Sequence, residues 1–173
     1  MKKINFLDPS IERKKNLTNK NFQLLSDSNF PLPSEVEISE SGVCNRKCSF
    51  CPRSAPDFNE VKEFISKSLH TKLIQDLEKE NYSGVVRYSG FVEPLLDKNI
   101  YNLVAEARNK LSDARIEIVT NGDVLNNYRL KKLFKSGLST LLISVYDGPE
   151  DAKKFETMCI KANLNPSQYV IRH

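Results

Sequence analysis

From residue 34 onwards, the pattern of hydrophobic and polar residues predicts that strands and helices alternate along the chain. Short runs rich in β-branched and other apolar residues predict strands at residues 35–39, 84–89, 116–120, 140–145 and 169–172. Apolar residues spaced three and four apart predict helices over residues 68–81, 98–111, 125–136 and 151–162. Gly137 follows the third helix and is expected to cap it. Such alternation is typical of parallel strands joined by right-handed helical crossovers.

The fold class that follows is α/β, either a (β/α) barrel or an open sheet, with about five parallel strands and the helices outside. The fourth predicted strand, 140–145, is apolar almost throughout, as expected of a strand buried on both faces. The sequence stops after the fifth strand, where a parallel sheet would expose an apolar edge. We therefore expect a partial barrel that is incomplete at its C-terminus and belongs to a longer protein.

Residues 1–33 differ in character and are predicted to form an irregular arm ahead of a core domain at residues 34–173. The arm is rich in Lys, Asn and Ser, ends in Pro31-Leu32-Pro33, and is expected to hold one short helix near residues 21–25. Residues 1–20 contain six basic and two acidic side chains, which account for the whole net charge of +4. Without a recognition motif, such a basic segment is typical of a solvated tail and gives no clear indication of a nucleic-acid partner.

The composition, with 39% hydrophobic and 28% charged residues, is that of a globular protein with a hydrophobic core. No segment approaches the roughly 18 consecutive apolar residues that indicate a membrane-spanning helix. The N-terminus is basic but lacks the apolar run of a secretory signal. We therefore predict a cytoplasmic protein that does not associate with membranes.

Three of the four cysteines lie within eight residues, at Cys44, Cys48 and Cys51, with the spacing C-x3-C-x2-C. In a reducing cytoplasm, cysteines grouped this closely favour metal ligation over disulfide formation. Thiolates are the usual ligands of iron–sulfur clusters, and a four-iron cluster needs one ligand for each iron. Three cysteines in one loop can hold three irons, which leaves the fourth iron open to a molecule that binds the metal directly.

The residues alone leave other interpretations of these cysteines open. A structural zinc site normally has four protein ligands, so His70 or Cys159 would have to act as a distant fourth ligand. A cluster used only for electron transfer normally has four cysteines. Three unrelated buried thiols are disfavoured, because the intervening residues 45–47 are polar. Cys159 lies among apolar residues of a predicted helix, and we interpret it as a small buried residue outside the ligand set.

Phe50 precedes the third cysteine, so that the segment resembles the signature C-x3-C-x-aromatic-C of the radical S-adenosylmethionine (SAM) superfamily. The resemblance covers about residues 34–173, and its context of strand, cysteine loop and helix also fits. It implies that Cys44, Cys48 and Cys51 hold a [4Fe–4S] cluster whose open iron binds SAM. It also implies that an electron from an external donor of the flavodoxin or ferredoxin type cleaves SAM, and that the resulting 5′-deoxyadenosyl radical abstracts hydrogen from a substrate.

The resemblance further implies which loops contact SAM, since function in such barrels lies at the C-terminal ends of the strands. Residues 89–94 resemble the family's Gly-Gly-Glu-Pro motif, which binds the SAM amine, although Phe91-Val92 stand where a second small residue is expected. A Thr-Asn-Gly turn at residues 120–122 is similar to turns that lie near SAM. Ser144 stands where family members contact the ribose and carboxylate. The implied cofactor-binding residues are Phe50, Gly90, Glu93, Thr120, Asn121 and Ser144.

The substrate is less closely defined by the sequence. Cys51-Pro52-Arg53 resembles members that carry a C-terminal auxiliary-cluster domain, the SPASM and Twitch groups, many of which modify peptides or proteins. On that resemblance we expect a peptide or protein substrate, with small molecules such as nucleotides or sugars as the alternative. Arg172 and His173 are expected to point toward the same site. A relative that holds a cluster without turnover, and a small zinc-binding module, remain the other candidate classes.

Overall fold

A computed structural model describes Lys15 and residues 23–172 of the chain. Most of the predicted N-terminal arm and His173 lie outside the described residues. The short helix expected near residues 21–25 is wrong for residues 23–25, because Leu24 pairs with Pro31 in an antiparallel bridge.

Within the described residues, five parallel strands form one sheet, which confirms the predicted α/β class. The strands are β1 (Glu35–Ile38), β2 (Val85–Tyr88), β3 (Arg115–Thr120), β4 (Thr140–Ser144) and β5 (Tyr169–Arg172). They lie in the order β1-β2-β3-β4-β5, and each strand pairs in parallel with the next. Parallel neighbours require crossover connections, and strands that follow one another in chain order form the wall of a partial barrel.

The crossovers contain helices α1 (Lys67–Lys79), α2 (Ile100–Lys110), α3 (Asn127–Lys135) and α4 (Pro149–Lys161). Two of these helices begin at a polar cap. The Ser66 side chain accepts a hydrogen bond from the Leu69 N–H, and the Asn126 side chain accepts one from the Arg129 N–H. In the described part of the chain, no helix is long and apolar enough to span a membrane.

Helix boundaries follow local backbone geometry more closely than the apolar periodicity does. Helix α1 ends at Lys79, two residues before its predicted end, and Asn81 adopts a φ of 49°. Helix α4 begins at Pro149 because the fixed φ of proline suits the first helical turn. Gly137 follows α3 with a φ of 97°, which agrees with its expected role at the end of that helix.

One face of the sheet packs against the helices and forms the hydrophobic core. Alternate residues of a strand point to opposite faces, so Val86 and Tyr88 join this core whereas Arg87 between them does not. Core residues of β2–β4 are Val86, Tyr88, Ile116, Ile118, Leu141 and Ile143, and the helices contribute Ile74, Leu103, Val104, Leu133 and Phe155 among others. On the opposite face, buried Arg87 donates to the buried Glu117 carboxylate at 2.9 Å.

All five strands end at the same edge of the sheet because they run parallel. The loop after β1 carries the three clustered cysteines, and the loop after β2 carries Gly90 and Glu93. Thr120 and Asn121 lie where β3 ends, and Ser144 is the last residue of β4. This topology therefore brings the residues predicted for the site to one edge of the sheet.

Candidate functional site

A cleft of about 250 Å³ opens at this edge of the sheet. The predicted cluster ligands and cofactor-binding residues all line it, namely Cys44, Cys48, Phe50, Cys51, Gly90, Glu93, Thr120, Asn121 and Ser144. Further lining side chains belong to Arg46, Arg53, Phe91 and Tyr146. The cysteine loop and the loops after β2, β3 and β4 therefore meet in one place.

The three cysteines of the loop are free thiols, and each is partly buried. Burial raises the pKa of Cys44, although the Arg46 N–H, 3.5 Å from the Cys44 Sγ, acts in the opposite direction. Among the residues that the structure describes, no group of three or more His, Cys, Asp or Glu side chains is placed to hold a metal ion. A four-iron cluster does not need three thiols to converge on one ion, since each iron takes one thiolate, and the donor set fits such a cluster.

Glu93 is buried, and three hydrogen bonds within the protein fix its carboxylate. Oε1 accepts from the Leu95 N–H at 3.0 Å and from the Thr120 hydroxyl at 2.7 Å. Oε2 accepts from the Asn121 N–H at 2.7 Å. Burial raises the pKa of Glu93 in spite of these bonds. Glu93 therefore joins the loop after β2 to the loop after β3, and Oε2 keeps a second acceptor position.

Asn121 connects the end of β3 to the cysteine loop. Its side-chain amide donates to Asn45 Oδ1 at 2.8 Å and lies 4.0 Å from the Sγ of Cys44. Thr120 is almost fully buried, and its hydroxyl donates to Glu93. The two residues predicted from one turn thus have different environments, since Asn121 reaches Cys44 and Thr120 points to Glu93.

Arg46, inside the cysteine loop, binds two carboxylates from neighbouring loops. Its Nε donates to Asp123 at 2.7 Å, its Nη1 donates to Asp147 at 3.0 Å, and its Nη2 contacts both carboxylates. The guanidinium also lies 5.5 Å from the centroid of the Tyr146 ring. Charge-assisted pairs with two-point contact are strong and directional, so Arg46 holds the cysteine loop against the ends of β3 and β4.

Ser144 and Phe50 lie on two further sides of the cleft. The Ser144 hydroxyl accepts a hydrogen bond from Arg172 Nη2 at 2.7 Å, so Arg172 adjoins the site as expected. The Phe50 side chain is 71% exposed, and its ring centroid lies 5.5 Å from that of Tyr146. These two aromatic rings form part of the open rim of the cleft.

The two residues considered as a fourth zinc ligand lie away from the cleft lining. His70 is fully buried, with Nδ1 2.9 Å from a Glu106 oxygen and Nε2 2.8 Å from the Tyr88 hydroxyl. Cys159 is fully buried in α4, where burial raises its pKa to about 11. The interpretation of Cys159 as a small core residue is therefore confirmed.

Sequence reasoning did not identify Arg46 or Arg53 as site residues, although both line the cleft. Their position next to the cysteines in the sequence is the signal that could have identified them as site residues. The partners of Arg46 lie 77 and 101 residues away along the chain, and no motif links them to it.

Two curated relatives share sequence with this chain. It is 30% identical over 115 residues to S-adenosyl-L-methionine-dependent 2-deoxy-scyllo-inosamine dehydrogenase of Niallia circulans, a match that covers 66% of this chain and 46% of the relative. It is 36% identical over 115 residues to Fe-coproporphyrin III synthase of Methanosarcina barkeri, covering 66% of this chain and 28% of the relative. The chain thus spans less than half the length of either relative.

Two crystal structures of BtrN share the fold. The complex of BtrN with AdoMet and 2-DOIA gives a TM-score of 0.70 at 26% identity, covering 82% of this chain and 56% of that chain. Selenomethionine BtrN in an open conformation gives a TM-score of 0.64 at 25% identity over the same shares of the two chains. This likeness confirms the predicted partial barrel.

The model of the Radical SAM superfamily matches residues 38–168, which is most of the chain. The family and both cofactors expected from the cysteine motif, a [4Fe–4S] cluster and SAM, are thereby confirmed. The named relatives are enzymes, as expected for this chain. The chain belongs to the radical SAM superfamily.

Proposed function

We propose that this chain is the catalytic core of a radical SAM enzyme, in which Cys44, Cys48 and Cys51 bind the cluster and the adjoining cleft binds SAM. The observation that carries the proposal is the shared cleft: three thiols from one loop lie with the residues implied for SAM binding from three other loops. These residues are far apart in the sequence, so the cysteine motif does not by itself require the other loops to lie beside it.

The cluster and SAM, when bound, supply a one-electron reductive cleavage that gives methionine and a 5′-deoxyadenosyl radical. The chain provides three thiolates that would hold a cluster with four irons, which would leave one iron for the amino and carboxylate groups of SAM. The hydrogen-abstraction chemistry belongs to the cofactors, and the protein holds, orients and shields them.

Glu93 and Asn121 orient the cofactor. Glu93 Oε2 accepts one hydrogen bond, from the Asn121 N–H. Its second lone pair would be the acceptor for the SAM amine. Because Glu93 is already fixed by internal hydrogen bonds, little ordering entropy is lost when it binds the amine. Asn121 keeps the loop after β3 against Cys44, and Ser144 lines the cleft at the end of β4, where it would contact the polar part of SAM.

The names of the two relatives favour a small-molecule substrate over the peptide or protein that the Cys-Pro-Arg segment suggested. One is a 2-deoxy-scyllo-inosamine dehydrogenase and the other an Fe-coproporphyrin III synthase. We therefore propose hydrogen abstraction from a small organic molecule, with an external one-electron donor of the flavodoxin or ferredoxin type. A cytoplasmic location remains a prediction.

Anaerobic reconstitution with iron and sulfide tests this proposal at the level of the cluster. The wild-type chain should bind about four irons and four sulfides, with the broad visible absorption of a [4Fe–4S] centre. Cys48→Ala should lose most of this iron. Cys159→Ala is the matched control, since it removes a thiol buried in α4, and it should keep the full complement.

The same preparations distinguish the proposed function from a zinc module and from an electron-transfer cluster. Equilibrium binding of SAM that requires the cluster supports the proposal. A stoichiometric zinc ion without sulfide would favour a zinc module, and a stable cluster that binds no SAM would favour a cluster used only for electron transfer. Cys48→Ala with wild-type iron and sulfide content would refute the ligand assignment.

A further inference from the structure

Arg53, the second residue after the third cysteine, is a buried cation at the wall of the cleft. Its side chain is only 4% exposed, and it lines the cleft together with the three loop cysteines. Arginine is rarely buried to this extent unless a specific partner compensates its charge.

Two contacts of Arg53 within the protein join separate loops of the site. Nη1 donates to the Gly42 carbonyl at 2.9 Å and to the Phe91 carbonyl at 3.2 Å. Gly42 precedes the first cysteine, and Phe91 lies in the loop after β2. A single guanidinium thus holds the cysteine segment next to the loop that carries Glu93.

Within the described residues, the charge of Arg53 is close to one aromatic ring and one distant carboxylate. Its guanidinium carbon lies 5.1 Å from the centroid of the Phe58 ring. Its Nη2 lies 3.4 Å from a Glu60 oxygen, and that same oxygen lies 3.5 Å from the exposed Lys47 amine. Glu60 is 36% exposed, which screens its attraction for the buried guanidinium. The Nε of Arg53 is buried and has no hydrogen-bond partner among the described residues. Leaving such a group without a partner is unfavourable for folding alone.

Arg46, the other arginine that lines the cleft, gives a useful comparison. Two carboxylates, Asp123 and Asp147, bind its guanidinium directly, so its positive charge is neutralised locally. Among residues 23–172, Arg53 has one carboxylate partner, the distant Glu60, instead of two. It is therefore the lining arginine whose positive charge is left to act on whatever occupies the cleft.

A four-iron cluster on three thiolates is the group that would gain from this charge. On reduction by an external one-electron donor, such a cluster would become more negative by one unit, with no bond made or broken and no proton transferred. A nearby cation stabilises the more negative state, and reduction potentials of such clusters depend on net charge, hydrogen bonds and solvent exposure.

We infer that Arg53 is a positioning residue that holds the cysteine segment against the loop after β2 and raises the reduction potential of the cluster. This inference rests on the proposed function, because it presupposes a cluster on Cys44, Cys48 and Cys51. The positive charge of the guanidinium, which lines the cleft together with the three thiols, carries this effect.

The test is a redox titration of the reconstituted chain, followed by electron paramagnetic resonance of the reduced cluster. Arg53→Met keeps the length of the side chain and removes the charge. At a fixed potential its ratio of reduced to oxidised cluster should fall about tenfold, which is about 59 mV for a one-electron couple. Arg53→Lys keeps the charge but not the planar guanidinium. Its midpoint potential should therefore lie at least halfway from that of Arg53→Met back to that of the wild type.

Arg108→Met is the matched control. Arg108 also donates to backbone carbonyls, those of Leu111, Ser112 and Gly137, but these lie in the connections that precede β3 and β4, at the other edge of the sheet. The same substitution there should leave the midpoint potential unchanged. If Arg53→Met binds no iron, Arg53→Gln replaces it, and its midpoint should lie below that of Arg53→Lys.

The results that would overturn the inference are specific. A neutral variant at position 53 with the wild-type midpoint would remove the electrostatic role, and equal shifts in the Lys and Met variants would show that only the guanidinium geometry matters. A wild-type chain that assembles no cluster would instead refute the proposed function. A cluster that forms normally but shows no shift refutes only the role of Arg53.

Discussion

Glu40, four residues before the first cysteine, should make the stability of this protein depend on pH. Its side chain is fully buried, and Oε1 accepts from the Ser41 hydroxyl at 3.2 Å. Oε2 is buried and has no hydrogen-bond partner within the described residues. Burial raises the pKa of Glu40 to about 7, and the negative charges of Asp97 and Glu93 act in the same direction.

The sign of the effect follows from the two protonation states. A glutamate in the unfolded chain loses its proton near its ordinary pKa of 4.5, whereas Glu40 in the folded chain keeps it up to about 7. Between these values the folded state binds more protons, so the free energy of unfolding falls as the pH rises. The pKa difference corresponds to a loss of about 3 kcal/mol in the free energy of unfolding. This loss is complete above about pH 7 and mostly absent at about pH 5.

Replacement of Glu40 by Gln removes the titrating group and preserves the shape of the side chain. The free energy of unfolding can be measured with urea on the cluster-free chain. The difference between Glu40→Gln and the wild type should be about 2–3 kcal/mol more favourable to the variant at pH 8 than at pH 5. Glu37→Gln, which removes an exposed carboxylate from β1, serves as the control. If the stability difference between Glu40→Gln and the wild type were the same at both pH values, the reasoning from burial would be refuted.

Three further perturbations test the site and the core. Glu93→Gln should weaken SAM binding about tenfold, or about 1.4 kcal/mol, at unchanged iron content in equilibrium binding; equal affinity would remove Glu93 from the site. Gly122→Ala should cost about 1–3 kcal/mol more in urea unfolding than Gly148→Ala, since both have positive φ but a Cβ at Gly122 would lie 2.5 Å from a buried ring atom. Glu106→Ala should lower stability by about 1–3 kcal/mol, because Nδ1 of fully buried His70 loses its hydrogen-bond partner, and an unchanged unfolding midpoint would contradict that pairing.

The strands and helices could be predicted because the core depends on periodic apolar positions. Val86 and Tyr88 face the helices and Ile116 and Ile118 do the same on the next strand, so the pattern in the sequence is the pattern of the packing. Helix ends could not be placed as well. Asn81 adopts a left-handed backbone conformation just after α1, a local preference that apolar periodicity does not register.

The part of the site that depends on the parallel topology and on the cysteine motif could be predicted from the sequence. Strands that run in parallel bring their C-terminal ends together, so Cys44, Glu93 and Ser144 had to share an edge once the strand order was sequential. Arg53 and Glu40 could not be predicted in this way. In the sequence each is an ordinary charged residue, and only the folded chain shows that each is buried with a polar atom left without a partner among the described residues.

The central claim is that Cys44, Cys48 and Cys51 hold a cluster that cleaves SAM. The most direct measurement is mass spectrometry of 5′-deoxyadenosine after the reconstituted chain is mixed anaerobically with dithionite and SAM. We predict 5′-deoxyadenosine from the wild type and from Cys159→Ala, and none above background from Cys48→Ala. A wild-type chain that binds a full [4Fe–4S] cluster and SAM yet forms no 5′-deoxyadenosine, or a Cys48→Ala variant that forms it at the wild-type rate, would contradict the claim.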